Sequence, residues 1–458
     1  MAGLKAVGDF KLDKAEMITS SGMVIDLSAS ILNITIFEDT TMTAVTGDIL
    51  LQDSFALTSI GPIIGQEYLK LKIQTPTLTN EEEIIDFTEN VFIINSLESR
   101  VQAGNNVQVY LLNFTSSEIV SNQRTKVSRS LKGSYSDIVK IMLNEVNCKK
   151  KVYVEPTSGS KRIVAPNIRP FDIIKMATRE AVSKFFSNPN YLFFETLKGY
   201  HFRSLSSLYA QSPIQTYTQH VHGSSVDKGG AVNIEKELGN ILDFEIIENA
   251  NSLTNYTVGV YASNLIVHDI YSKSYKKYQY GIFDNFRKEQ HITSHHKSNG
   301  DDFPIYSHLH VDDKGRSVQD FPARTFVTPT SISDSSDAQH TTENNTSPYS
   351  PTNAQNWLQR RTSQLIQLEQ GLLLNILTHG NTVVSAGDIV KLDIPYNASF
   401  KTTKNEKNDI FFKGMFFVKR LRHDFDFGDK KHQTLMTLVK DSIENSLDGP
   451  EDNFEPKP

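Results

Sequence analysis

Between Met23 and Phe114 the apolar residues come in short β-branched and aromatic runs split by turns: ILNITIF, GDILLQDS, EYLKLKI, DFTENVFIINSL and VQVYLLNF. In EYLKLKI, Tyr68 (or Leu69), Leu71 and Ile73 alternate with Lys70 and Lys72, the period of a strand with one buried face and one wet face. Runs of this length and spacing predict antiparallel strands, with a barrel or a sandwich as their natural closure.

The period then changes. Ser134 and Asp137 precede Ile138, Ile141, Met142 and Val146, a capping-type start followed by helical spacing. A second helix is predicted from Pro170, with Ile173, Ile174, Ala177, Ala181, Val182 and Phe185 on one stripe. After the Gly-rich turn DKGGA, strands resume in ILDFEIIENA and NYTVGVYASNLIVHDI. Residues 270–326 are rich in Tyr, His and Lys, and residues 328–353 carry almost no large apolar side chain, the composition of a linker or loop. Trp357, Leu358, Leu365, Leu368, Leu372 and Ile376 recur at helical intervals and predict one long amphipathic helix. Strands return in GDIVKLDIP, FFKGMFFVKRL and HQTLMTLVKDS.

The last region echoes the first. The stretch from Phe87 lies on the stretch from Phe411 without a gap, matching Phe92 to Phe416, Leu97 to Leu421, Gly104 to Gly428 and Leu111 to Leu435. Just upstream EYLKLKI answers DIVKLDI, with Leu71 matched to Leu392. Self-similarity of this kind marks a duplicated structural unit.

Five stretches together resemble the central baseplate hub proteins of contractile-tailed phages, relatives of the N-terminal part of type VI secretion spike proteins. They are residues 34–73 (ITIFEDTTMTAVTGDILLQDS with PIIGQEYLKLKI), 113–143, RPFDIIKMATREAV, LFFETLKGYHFRSLSSL and HGNTVVSAGDIVKLDIP. The resemblance implies a trimer whose subunits each give two barrel-like tube domains, a pseudo-six-fold ring adapting a six-fold tail tube to a three-fold spike. A duplicated unit in a closed trimer presents six equivalents, because cyclic symmetry multiplies what one chain contains. The implied partners are a trimeric spike protein, tail tube or tube-initiator proteins, and the tape measure and baseplate wedge proteins. The implied place is the virion tail baseplate, assembled in the host cytoplasm. The hub of a genome-free contractile injection particle is the close alternative, and a carbohydrate-cleaving or carbohydrate-binding tail protein the distant one.

The expected fold class is thus α+β, mostly antiparallel β: two similar tube domains, a small α/β domain and an inserted domain with a long helix. Residues 1–115 form the first tube domain, 116–235 the α/β domain with two helices and a hairpin, and 236–269 with 370–445 the second tube domain. Residues 270–369 form the insertion, and 446–458 an acidic tail. The chain ends soon after the second unit with DGPEDNFEPKP, so the spike and any wall-degrading activity are expected on separate polypeptides.

Composition narrows the chemistry. The 458 residues suffice for roughly three domains of about 150 residues each, and 38% are hydrophobic. No stretch approaches the roughly 20 apolar residues of a membrane helix, and the N-terminus is charged where a signal peptide is apolar, so a soluble, unexported chain is expected. The single cysteine, Cys148, leaves no internal disulfide framework and no multi-cysteine metal site. A net charge of −6 argues against a broad phosphate-gripping face, so no specific nucleic-acid binding is expected.

The most enzyme-like stretch is FFETLKGYHFRSL, residues 193–205, with Glu195, His201 and Arg203 inside it. Read as a hairpin with a three-residue loop Leu197–Lys198–Gly199, it sets Glu195 opposite His201 and Phe194 opposite Phe202. The charged trio is then a cross-strand set on a polar or interface face, contributing roughly 0.2 to 1 kcal/mol per pair. His291, His295, His296, His308 and His310 cluster at a spacing only suggestive of a metal and read as exposed loop residues. Asp48, Asp53 and Glu67 invite pairing as acid and base, but TGDIL and LQDSF read as a turn boundary and a strand end where Asp bonds backbone. Lys149 to Lys151 with Lys161 and Arg162 form the densest basic patch and read as a solvated face. No catalytic residue, cofactor or metal ligand is assigned, and the chain carries no Walker loop, nucleophile elbow or dinucleotide fingerprint.

Overall fold

The computed structural model describes residues 7–75, 84–104, 106–219, 234–248, 251–270, 273–295, 303–305, 312–329, 354–395 and 408–443. The turn DKGGA, nearly all of 328–353, the acidic tail, and His296, His308 and His310 lie outside them. The described chain is α+β and mostly antiparallel β. No helix among the described residues is long and apolar enough to cross a membrane.

The first seven strands follow the predicted runs. They are β1 (Lys11–Ile18), β2 (Val24–Asp26), β3 (Ile31–Asp39), β4 (Thr46–Asp53), β5 (Tyr68–Gln74), β6 (Ile85–Gly104) and β7 (Val107–Ser116). They pair in the order β3-β4-β7-β6-β5-β1-β2. Alternation does what the pattern requires: in β5, Leu69, Leu71 and Ile73 are fully buried, while Lys70 and Lys72 are half-buried. Phe92, Tyr110, Leu112 and Phe114 complete this core, and Phe425 joins it from the far end of the chain.

A second core forms around α2 (Ser117–Arg124), β8 (Val127–Gly133), α3 (Tyr135–Glu145), β9 (Val152–Val154), β10 (Lys161–Ile168), α4 (Pro170–Glu180), β11 (Tyr191–Thr196) and β12 (Gly199–Ser204). The Ser134 and Asp137 side chains form the reciprocal capping box at the start of α3. Pro170 opens α4 as predicted, but the helix ends at Glu180, short of the predicted stripe through Val182 and Phe185. The backbone there is drawn out to Thr157 and Ser158: Ser158 N–H donates to the Val182 carbonyl at 2.9 Å, and Phe185 is exposed.

The hairpin β11–β12 also departs from its predicted register. Its loop has two residues, Leu197 and Lys198, because Gly199 is already the first residue of β12 and pairs with Thr196. Glu195 therefore faces Tyr200, and His201 faces Phe194. The cause lies outside the hairpin. Strand β9 runs parallel beside β12, and a Cβ at Gly199 would sit 2.2 Å from the Lys151 carbonyl oxygen at a φ of +133°. Glycine is there for that close approach, not for the loop.

The chain continues through β13 (Gln215–Thr218) and β14 (Ile241–Glu248). The stretch from Asn255, read as strand, opens as a helical turn, Ser252–Thr257, whose Asn251 cap accepts from Thr254 N–H at 3.1 Å. Beyond it β15 (Ala262–Asp269), β16 (Ser274–Gly281) and β18 (Arg324–Pro329) form a separate three-stranded sheet, so β15 does not join β14 in the large sheet. A short β17 (Phe303–Pro304) pairs with β23 (Ser442–Ile443). The predicted long helix is a π-helical turn, Gln355–Arg360, running into an α-helix that stops at Gln370. Leu372 and Ile376 belong to strand β19 (Leu372–His379), since Gly371 ends the helix and a short apolar run fits either period.

With β20 (Ile389–Pro395), β21 (Asn408–Asp426) and β22 (Lys431–Lys440), the second half repeats the first in register. Leu69 pairs with Phe92, and Val390 pairs with Phe416. Leu97 pairs with Leu112, and Leu421 pairs with Met436. The irregularities repeat too. A bulge falls between Ile94 and Ser96 and again between Val418 and Arg420; another falls between Ile31 and Asn33 and again between Ile241 and Asp243. Bulges are costly local features, and their coincidence extends the sequence echo into backbone geometry.

Candidate functional site: the seam between the two β units

One hydrogen-bonded sheet of thirteen strands runs through both halves, and they meet where β21 pairs antiparallel with β3. Up to Phe417, β21 bonds β20; past the Lys419 bulge it bonds β3, from Arg420 opposite Asp39 to Asp426 opposite Asn33. Side chains lock this register: Arg420 Nε donates to Asp39 Oδ2 at 2.7 Å, and Asn33 Nδ2 to Asp424 Oδ1 at 2.7 Å. Phe425 crosses into the first core, where Phe10 meets its ring at 5.3 Å. Beside it His423 and His432 sit fully buried, Nδ1 to Nε2 at 3.2 Å, and burial pushes His423 down to about 3, so both are neutral near pH 7.

Glu38 is the hinge of the seam. Its carboxylate accepts from Leu197 N–H of the α/β hairpin at 2.7 Å and from Ala386 N–H of the second half at 2.7 Å. Burial pushes it up to about 7 despite those two donors and the nearby Lys198. Lys198 Nζ reaches Asp388 at 3.0 Å, so the hairpin tip holds both halves.

The three ionisable groups of that hairpin do not form one set. Glu195 points inward, fully buried, accepts from Val45 N–H at 2.9 Å and from Lys150 Nζ at 2.5 Å. Lys150 also donates to Glu118 at 2.8 Å, closing a buried triad between α2, β11 and the segment before β9. Burial would depress the Lys150 ammonium, but the two carboxylates outweigh it and hold it above its usual value. On the opposite face His201 stacks between Phe194 and Tyr153, and burial pushes it down to about 3. Arg203 Nη1 donates to Gln211 Oε1 at 2.8 Å and its Nε to Ser207 Oγ at 3.1 Å. The predicted cross-strand charge set is therefore replaced by a core triad and a separate stacked histidine. The one-residue register difference is the reason, because in a strand it moves each side chain to the other face.

Asp53 does end its strand as predicted: it accepts from Phe55 N–H at 2.9 Å and from Leu57 N–H at 2.8 Å, starting the short helix α1 (Leu57–Ile60). Asp48 lies inside β4 between Thr35 and Asn113, not at a turn boundary. Glu67 accepts backbone N–H from Ile64, Gly65 and Gln66, so neither carboxylate partners it as an acid–base pair. The basic patch is not uniformly solvated: the Lys150 side chain and Lys161 are buried, while Lys149, Lys151 and Arg162 are exposed. His291, read as an exposed loop residue, is buried, its Nδ1 2.8 Å from Asp441 and its Nε2 2.6 Å from the Phe286 carbonyl. No group of three metal-binding side chains occurs among the described residues. A groove of about 630 Å³, lined by Lys276, Tyr278, Glu289, Gln359 and Arg360, is polar, and its Glu289 is held by Arg360 at 2.6 Å.

No known family profile and no curated protein matches the chain. Solved structures do. A tail protein from Neisseria meningitidis MC58 superposes with a TM-score of 0.51 at 12% identity, over 94% of this chain and 97% of that one. The 43 kDa tail protein of prophage MuSo2 from Shewanella oneidensis gives 0.51 at 6% identity, over 93% and 98%. This chain has a tail-protein fold. A type VI secretion component from E. coli superposes with a TM-score of 0.39 at 8% identity, over 94% of this chain and 76% of that one.

Two outcomes follow from the seam. Lys150→Met strands two buried carboxylates and should cost about 3–5 kcal/mol in urea unfolding, a loss that a second substitution, Glu195→Gln, partly restores. Glu38, raised from 4.5 to about 7, binds a proton in the folded state that the unfolded chain has released. Its contribution is fully present below 4.5 and is lost as pH rises through about 7. The stability of the wild type relative to Glu38→Gln, read from urea midpoints, should therefore increase as pH falls across that window.

Proposed function

We propose that the protein is a structural hub of a phage tail baseplate, a homotrimeric pseudo-six-fold ring joining the six-fold tail tube to a three-fold spike. In this reading residues 1–115 and the pairing of 236–269 with 370–445 are the two tube domains, apart from β15, which belongs with the insertion. Residues 116–235, apart from β13, which pairs with β20 of the second unit, are the α/β domain that clamps the two. The observation that carries it is the duplication: two units alike in register and in bulges lie side by side in one sheet, and three such chains around an axis present six near-equivalent units. A second support is the tail-protein fold itself.

The mechanism is geometric. The ring matches symmetries, bears load and forms part of a conduit that the spike closes; no bond is broken. The buried placement of Glu195, Lys150 and His291 in structural networks supports a role without catalysis. The insertion, 270–369, has no counterpart in the first half and suits outward contact with wedge proteins. Partners above and below are the tube or its initiator, the tape measure protein and the trimeric spike.

Light scattering on the purified protein at micromolar concentration should give about three times the 51.6 kDa of one chain. A single-chain mass there, or turnover of cell-wall material lost on Glu195→Gln, would sink the proposal.

A further inference from the structure

Strands β6 and β21 are equivalent, and so are β3 and β14, yet only one of each pair is satisfied. Past its bulge β21 bonds β3. Past the equivalent bulge, β6 bonds β7 on one side, and from Ser96 to Gly104 its other side faces no strand among the described residues. Strand β14 bonds β19 on one side, and as the terminal strand of the sheet order it faces no further strand on the other among the described residues. Among the described residues one edge of the β21 kind and one of the β3 kind are thus left open.

Neither free edge carries a lysine or a proline. Natural edge strands are blunted by lysine, proline or inward charges, because open N–H and C=O groups recruit other strands. Here Val101 is exposed on β6, and Leu242, Ile246 and Ile247 are exposed on β14, with no lysine or proline in ILDFEIIE or in SLESRVQAG. The acidic residues Asp243 and Glu245 sit among these apolar ones on β14.

We propose that the free side of β6 pairs antiparallel with the outer edge of β14 from a second copy of this chain, in the register that β21 and β3 already use internally. This rests on the ring reading and gives the ring its lateral contact. The register is specific. Inside the chain Asp424 faces Thr35, and Phe425 faces Ile34. Val101 and Gln102 hold the places of Asp424 and Phe425, since they face Val109 and Gln108 as those face Gln433 and His432. Glu245 and Phe244 hold the places of Thr35 and Ile34, facing Asn375 and Ile376 as those face Asp48 and Ile49. Val101 therefore comes to lie opposite the second copy's Glu245, and Gln102 opposite its Phe244. Strand β6 carries two further irregularities that β21 lacks, one at Ser99 and Arg100, with Ser99 at a φ of 52°, and one at Ala103, so past the first of them the match of register covers Val101 and Gln102. Each copy offers one edge and accepts on the other, a head-to-tail contact that closes into a ring without leaving either edge open.

Two double variants test it: Val101→Cys with Glu245→Cys, and Gln102→Cys with Phe244→Cys. Neighbouring pairs in an antiparallel ladder alternate between narrow and wide spacing, so one of the two suits a disulfide. After mild oxidation at least one should run as a reducible three-chain species on a denaturing gel, while the four single variants run as single chains. Native mass is measured in parallel on the unsubstituted protein. A three-chain mass with neither pair linked overturns the edge pairing and leaves the ring standing. A single-chain mass with no linkage overturns both.

Discussion

A β-strand has two hydrogen-bonding sides, and the architecture depends on how β21 divides its second one. The Lys419 bulge skips one residue, so the first part of the strand continues its own unit through β20 and the rest bonds the other unit through β3. Main-chain bonds then join the halves directly, with no linker between them. A bulge turns and twists the strand at the point of transfer, which lets one strand serve both units in a single sheet. The same bulge in β6 leaves the same hand-over prepared but unused among the described residues.

A shared strand fixes position along its length but resists rotation about the seam poorly, and the α/β hairpin supplies that restraint. Its tip enters where β3, β4 and the loop before β20 converge: Leu197 N–H on Glu38, Lys198 on Asp388, Glu195 on Val45 N–H. These contacts place charge in apolar surroundings, which is expensive to form and more expensive to break on one side only. Buried ionic contacts of this kind are directional, so they suit a joint that must hold one angle under load better than they suit raw stability. A catalytic site asks for the reverse arrangement, groups left accessible to a substrate with protonation tuned near working pH. In the hairpin, Glu195 is sealed beneath Lys150 and His201 is held neutral between two rings.

Much of this was legible in the sequence, and what was not has physical causes. Period-two alternation located the strands of both halves, and the gapless match of Phe92 to Phe416 and Leu97 to Leu421 reappears as identical pairing register. The capping box at Ser134 and the proline at 170 marked helix starts correctly because both act through local backbone groups. Failures came where a distant segment decides. Gly199 reads as a loop glycine until Lys151 is seen against it, and that single residue of register moved Glu195 from surface to core. Leu372 and Ile376 continue a helical period by coincidence, and β22 claims them for a strand. Lys150 and His291 carried no signal separating them from solvated neighbours, since their partners Glu195 and Asp441 are far along the chain.

The central claim, that one chain carries two near-equivalent units which three chains repeat as six, is tested most directly by end-on electron micrographs of the purified particle. Their averaged projection should be three-fold with a strong six-fold component, because the units differ mainly in their insertions and in the strands β1 and β13 at their flanks. A projection that is two-fold, or three-fold with the six-fold component missing, would contradict it.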